Sequence, residues 1–516
     1  MKMNSIRVLQ VALVLGWATD VLFYGKSLGI SVPLFVGLIL SALFYLGRQE
    51  GVRSEPRNLW LIAPLFFFAI MVFVRANATL TLINVLLVLT ILGLLIFFYS
   101  SGRIQHLGLF GYPVVLAIAG LNALTQQVPA VTAATKSAAA HKGKFRQAGP
   151  LLRGLILAVP VLIVFTFLLS SADTIFASYI GDLLRLDFMV DAPEMLWRTI
   201  LVLLAAWVLA GALFFAVRRQ TQPAAGPDDL PGNLPSNFSI GFIESVTVLG
   251  LVNLLFLAFA WIQFAFLFSG EALRTMHYEV YREYVRRGFG ELLAVAVLTM
   301  ALILGLRWLA WRETTREARI FKLLSTAMVM LAMVMLVSAF MRMVFWESIE
   351  FYINTQLRIY VRWFIAWLGV LFAWMLLLLW VQRRRFAFGA FVAVLGFFVT
   401  INLANPDADV AAHNLKRHDE LATRYLHLLS DDAIPALVAG LDSTSGYVHD
   451  SLVTHLKYRL LHLRHDHNRH EWPAFHLSRW QAYESLKALN EAGKLTFKAG
   501  QTTPRPPPAT SANLSQ

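Results

Sequence analysis

Ionisable side chains inside long apolar segments carry the first chemical argument, because a charge in hydrocarbon is costly and is kept where it moves protons, binds ions or joins helices. Glu244 sits inside one such segment, and Asp20 and Asp173 sit near the ends of two others. Asn253 and Gln263 share the Glu244 segment, yet at 100° per residue the three point in different directions and cannot line one pore face. Helix-to-helix hydrogen bonding is therefore preferred to a proton or substrate relay there. A second set lies between Glu271 and Arg287. Leu273, Met276, Val280, Tyr281 and Tyr284 share one helical face, while Thr275, Glu279, Arg282, Glu283 and Arg286 share the other. That pattern predicts a helix in the membrane interface, held by intrahelical ion pairs such as Glu279 with Arg282. The chemical alternative makes Asp173, Glu279 or Glu283 a base and Arg282 or Arg286 an anion clamp. Arg358 completes the candidate polar set.

Imidazoles cluster at His462, His465, His467 and His470, and imidazole is a good ligand for zinc or nickel. The chain has no cysteine and the cluster no fixed ligand spacing, so metal binding is the minor reading. His470, Glu471 and His476 do not form a zinc-protease pair, which needs histidines four residues apart on one helix. Met328, Met330, Met333, Met335, Met341 and Met343 point all round their helix, which suits adaptable packing and not a copper path. Gly25, Ser27 and Gly29 match the nucleophile-elbow spacing without its strand-turn-helix context. No phosphate-cradling glycine loop or dinucleotide fingerprint occurs, and no cofactor is expected.

These residues must be positioned by membrane helices. Of 516 residues, 58% are hydrophobic and 15% charged, where a soluble domain carries roughly a quarter charged. Apolar runs near 8–24, 28–46, 59–74, 79–98, 109–127, 151–171, 195–217, 240–268, 290–308, 321–341, 359–381 and 386–404 each approach the length needed to cross about 30 Å of hydrocarbon. The expected fold class is all-α, a polytopic transmembrane bundle of about twelve spans with a small C-terminal helical domain. The third and fifth runs are the weakest. The first is read as a retained span and not a removed signal peptide, since no convincing cleavage site follows it.

The net charge of +13 does not indicate nucleic acid. Residues 405–516 hold twelve cationic and twelve acidic side chains, so the excess lies beside the spans. In the second half, the loops carrying Lys136 to Arg153, Arg218–Arg219, Arg307 to Lys322 and Arg383 to Arg385 hold fifteen cations against four acids. The intervening loops hold nine cations against eleven acids. Cationic loops stay cytoplasmic, which places the tail outside. Arg48, Arg53 and Arg57 also read as cytoplasmic, and that requires an even number of crossings between 58 and 136, so the third or fifth run is re-entrant or mis-split. In the tail, Leu421, Tyr425, Leu428 and Leu429, then Leu452, Leu456, Leu460 and Leu463, recur at helical spacing. Thr502 onward is rich in Pro, Ser, Thr and Ala and is expected to be disordered.

Several strings together resemble a bacterial membrane family: SADTIF at Ser171, QFAFLFSG at Gln263, YREYVRRGFGEL at Tyr281, QLRIY at Gln356, NPDA at Asn405, RYLHLLSDDAIPAL at Arg424 and WPAFHLSRW at Trp472. That family is catalogued as the domain of unknown function four-one-seven-three, with its relative four-one-five-three. The resemblance covers roughly 165–490. It implies bacterial origin and a multi-pass place in the inner membrane, and it transfers no activity and no catalytic residue. The chain is accordingly divided into an N-terminal transmembrane region (1–150), a family-like transmembrane core (151–404) with the interfacial helix (271–287), a soluble helical domain (405–500) and a disordered tail (501–516).

Three functions remain. The preferred one is an envelope-facing sensor or assembly partner that docks a membrane or envelope protein. The others are a transporter and an enzyme acting on a lipid-linked substrate at the outer interface. The partners expected are the lipid bilayer and such a protein, and no nucleic acid.

Overall fold

A computed structural model of the chain describes residues 5–100, 102–128, 169, 192–218, 241–268, 289–309, 314–347, 353–381, 385–416, 420–466 and 471–495. Everything regular among them is helical. The apolar runs become α1 (Ser5–Phe23), α2 (Ser31–Gln49), α3 (Ile62–Val74), α4 (Ala78–Phe97), α5 (Gly111–Thr125), α6 (Ala192–Arg218), α7 (Phe242–Phe268), α8 (Phe289–Leu309), α9 (Thr315–Glu347), α10 (Gln356–Val381) and α11 (Phe386–Ala404). Such runs fold as helices because hydrocarbon offers backbone groups no partner but each other. Pro33, Pro64 and Pro113 each fall in a first turn, where the missing N–H leaves no helical bond unmade. Asn77 caps α4, its side chain accepting from Leu80 N at 3.1 Å.

Ten helices among the described residues are long and apolar enough to cross a membrane. The third expected span is one of them, because a 3-10 turn at Pro56–Leu61 extends α3 to 19 residues. The fifth is not. Its 15 residues reach about 22 Å at 1.5 Å each, short of the hydrocarbon thickness. The expected span at 151–171, the helix at 271–287 and the segment from 501 lie outside the described residues.

The chain divides into two compact units. One comprises 1–104, 110–231 and 465–480, the other 105–109, 232–464 and 481–516. In the first, α1 packs antiparallel on α6. Arg198, Val202, Ala206 and Ala210 recur every fourth residue and make one ridge. Gly16 lies so close beneath it that a Cβ there would sit 2.5 Å from the Val202 carbonyl oxygen. The last turn of α5 meets the middle of α6, where Trp207 Nε1 donates to the Leu124 carbonyl at 3.1 Å.

In the second unit α7 and α8 pack on α9, α9 on α10, and α10 on α11. Met328 and Met335 are buried in the same core as Phe372, whereas Met330 and Met341 are exposed on other faces of α9. α10 and α11 interlock by tryptophans seated in glycine notches. Trp374 fills the space over Gly389, and Trp367, one heptad earlier, fills that over Gly396. The tail supplies α12 (Pro406–Asn414), α13 (Glu420–Leu426), α14 (Ile434–Gly440), α15 (Gly446–His465) and α16 (Leu477–Glu491). Leu452, Leu456, Leu460 and Leu463 are buried as their spacing predicts, while Leu428 faces outward. Their core is continuous with the first turn of α10, because Ile359 is buried within it and Trp363 packs against it.

Candidate functional site

The strings QLRIY, NPDA and SDDA, far apart in sequence, meet around one carboxylate in the second unit. Asn405 makes the corner between α11 and α12. It adopts a left-handed φ of 48°, which asparagine tolerates better than most residues, and its side chain caps α12 by accepting from Ala408 N at 3.4 Å. Pro406 then occupies the first position of α12, where its fixed φ fits. This turn aims Asp407 inward, and its residue is buried.

Three donors converge on Asp407. Gln356 Nε2, from the first turn of α10, donates to Oδ1. Ser430 donates to Oδ2 through its backbone N at 3.1 Å and also through Oγ. The same Ser430 caps the turn Asp431–Ala433, its Oγ accepting from Asp432 N at 3.3 Å. Around this centre Gln356 N donates to the Tyr425 hydroxyl at 3.3 Å. Asn414, on α12, brackets the chain just before α10: its Oδ1 accepts from Asn354 N at 2.9 Å and its Nδ2 donates to Asn354 O at 3.0 Å. These contacts use the backbone of residue 354, so they do not depend on its side chain. Arg358 turns back on the same segment and donates to the Ile353 carbonyl. The Tyr360 hydroxyl, within electrostatic reach of Asp407, Asp432 and Tyr425, is buried without a hydrogen bond among the described residues.

A carboxylate saturated by three donors is a fastener and not an exposed base. Through it Gln356, at the head of a membrane helix, is tied to Ser430 in the tail. Beside it, Arg459 of α15 donates to the Leu429 carbonyl and pairs with Asp431 at 3.8 Å. His427 and His455 stack with ring centroids 4.5 Å apart. Burial lowers both imidazoles, His455 to about 3, with His427 and Arg459 adding to the effect. Ser451 Oγ lies 3.2 Å from His427 Nε2, but that ring is stacked on a second imidazole and not oriented by a carboxylate, so the pair lacks the third member of a nucleophilic triad.

The sequence-derived candidates fall as follows. Arg358 belongs to the junction. Glu244 is exposed in the first turn of α7 and accepts from Gly241 N at 2.9 Å, the contact of an N-terminal cap. Asp20, in the first unit, receives both Nε and Nη2 of Arg198 at 3.0 and 2.7 Å, and the guanidinium also lies over the Tyr24 ring. Asp173, Glu279, Arg282, Glu283 and Arg286 lie outside the described residues, as do His467 and His470. His462 and His465 are exposed on α15, and no metal-holding group of three His, Cys, Asp or Glu occurs among the described residues. Sequence reasoning quoted the strings that hold Asp407, Ser430, Gln356 and the Asn405 corner, but did not single these residues out; Asn414 lies in none of them. Only the clustering of those strings at helix ends signalled them.

A family model described as Domain of unknown function (DUF4153) matches residues 62–440, which include α10, the NPDA corner and the SDDA turn. This is the second of the two related families named by the resemblance, and the match begins further toward the N-terminus. No curated protein and no solved structure matches the chain.

Proposed function

Because the chain belongs to the DUF4153 family and is an integral membrane protein, we propose that it works as an envelope-facing sensor or assembly partner whose helical tail recognises and whose spans respond. One observation carries this reading: the Asp407 carboxylate is shared between Gln356 at the head of α10 and Ser430 in the tail. A partner that shifts the SDDA turn must break or drag bonds anchored in a membrane helix. The continuity of the tail core with Ile359 and Trp363 supports the same coupling, since a tail tethered by a flexible linker would transmit nothing. The charge asymmetry of the loops supports a tail outside the cytoplasm, where an envelope component is the partner class within reach.

The test is native electrophoresis of the full chain extracted in mild detergent, with cross-linking mass spectrometry to locate contacts. The expected result is a stable complex with cross-links on 424–466, lost in Asp407→Asn and kept in Glu244→Gln. A chain that migrates alone, with function abolished by Glu244→Gln and untouched by Asp407→Asn, sinks the proposal in favour of transport.

A further inference from the structure

The segment WPAFHLSRW, at 472–480, is docked on the first unit by contacts of four kinds. Its backbone joins the α1–α2 loop, Ile30 N donating to the Phe475 carbonyl at 3.0 Å. Gly29 lies against Ala474 and Phe475 so closely that a Cβ would be 2.5 Å from the Phe475 carbonyl oxygen. His476 is buried against the backbone of Val72 and Arg75 at the end of α3, and burial beside Arg479 lowers its imidazole to about 4, so it docks neutral. Charged contacts flank it: Lys26 with Glu471 at 3.6 Å, and Arg479 with Asp466 at 3.7 Å and Ser27 Oγ at 3.4 Å.

The elements gripped are the end of α1, the start of α2 and the end of α3, three helices with the length and composition of membrane spans. The docked segment is therefore fixed at the depth where spans leave the hydrocarbon. At that level it turns large apolar groups outward and not into the fold. Trp472 is 61% exposed, Trp480 50% and Phe475 38%, next to Leu28 at 41%. Tryptophan at span ends prefers the headgroup boundary, where an apolar ring and an indole N–H are both satisfied.

We infer that residues 472–480 form a membrane-interface anchor, with Trp472 and Trp480 seated in the headgroup layer of the bilayer face to which the tail returns. The occupant of this aromatic surface is lipid. The inference is independent of what the tail recognises, since it rests on where the segment is held.

The chain has no cysteine, so a single nitroxide can be placed at will in the full-length protein reconstituted in liposomes. Labels at Trp472→Cys and Trp480→Cys are compared with Glu491→Cys, an exposed charged position, and Leu254→Cys, an exposed position in the middle of α7. Collision with oxygen relative to a water-soluble nickel chelate is expected to be about threefold or more above the Glu491 reference and below that at Leu254, as for an interfacial position. A ratio equal to that at Glu491 means the segment faces water, and low collision with both reagents means another protein covers it. Either outcome overturns the inference. Because these labels replace the rings in question, a label at Phe475→Cys is read with Trp472 and Trp480 intact and with both changed to alanine. Its ratio must fall toward the water reference in the alanine pair, and an unchanged ratio also overturns the anchor.

Discussion

Asp407 is the residue on which the junction turns, and its chemistry fixes the sign of its substitution. Gln356 and Ser430 direct three donors at it, of which the Ser430 backbone N–H can only donate, so Asp407→Asn removes the charge they share and turns an N–H₂ toward one of them. Hydrogen bonds to a charged group contribute about 1.5–3 kcal/mol each, and a change that weakens three and repels at one should cost on the order of 3 kcal/mol. The expected observation is a lower thermal midpoint in detergent together with early proteolysis within 405–440, while Asp407→Glu keeps the charge but carries it one methylene further out and lies between. Glu244→Gln is the matched control. Its carboxylate is exposed and caps one backbone N–H, a contact an amide oxygen also makes, so the expected change in midpoint is within about 0.5 kcal/mol. Sequence reasoning singled out Glu244 and not Asp407, because a charge inside an apolar run is legible from hydropathy, whereas donors from 356 and 430 meeting on the carboxylate of 407 are a property of the fold. The pairing of Asp20 with Arg198, across 178 positions, was hidden for the same reason.

Elements were more legible than residues. Length and apolar composition locate every described membrane helix, because the bilayer imposes one rule on all of them. What hydropathy does not carry is which faces touch. The notches of α11 show the difference: Gly389 and Gly396 read as helix-weakening residues, yet they are the space into which Trp374 and Trp367 pack. A Cβ at Gly389 would lie 1.9 Å from Trp374 Nε1, so Gly389→Ala should destabilise by about 1–3 kcal/mol through overpacking. Trp374 Nε1 has no hydrogen-bond partner among the described residues, and Trp374→Phe in the same chain should recover most of the loss. Thermal unfolding of the single and double variants measures this, and failure of the second change to rescue the first refutes the notch. The tail carries the other element-scale prediction. His455 is held neutral with its pKa lowered from 6.5 to about 3. The unfolded chain therefore binds a proton that the folded chain refuses, and stability is lost as pH falls from about 6.5 toward 3. At pH 5 the loss is about 2 kcal/mol, from 1.36 kcal/mol per unit. Hydrogen exchange of α15, corrected for its intrinsic pH dependence, should show reduced protection at pH 5.0 compared with 7.5. The reduction should be smaller in His455→Leu, with a remainder from His427, whose pKa burial also lowers.

At the scale of the whole molecule the open quantity is which side of the membrane the tail occupies, and two separate charge counts bear on it. In the first half, Arg48, Arg53 and Arg57 are expected in the cytoplasm by their charge, and the loop between α1 and α2 is then expected outside. In the second half, the loop at Arg312 to Arg319 is expected in the cytoplasm by the same rule, and the chain after Ala404 is then expected outside. Neither count uses the other's residues, yet the hydrogen bond from Ile30 N to the Phe475 carbonyl requires the α1–α2 loop and this tail segment to share one side. The counts agree only if an even number of crossings separates residue 58 from residue 136. With α3 completed by its 3-10 turn and α4 full length, the short α5 is the element that must enter and return. The prediction is that a reporter active only outside the cytoplasm is active after Ala404 and within the α1–α2 loop at Lys26, silent within Arg312 to Arg319, and silent again at Lys136. Activity at Lys136 with silence at Arg312 would make α5 a true span and break the parity. Silence after Ala404 with activity at Arg312 would reverse the whole orientation, move the tail and its aromatic anchor to the cytoplasmic leaflet, and replace the envelope partner with a cytoplasmic one.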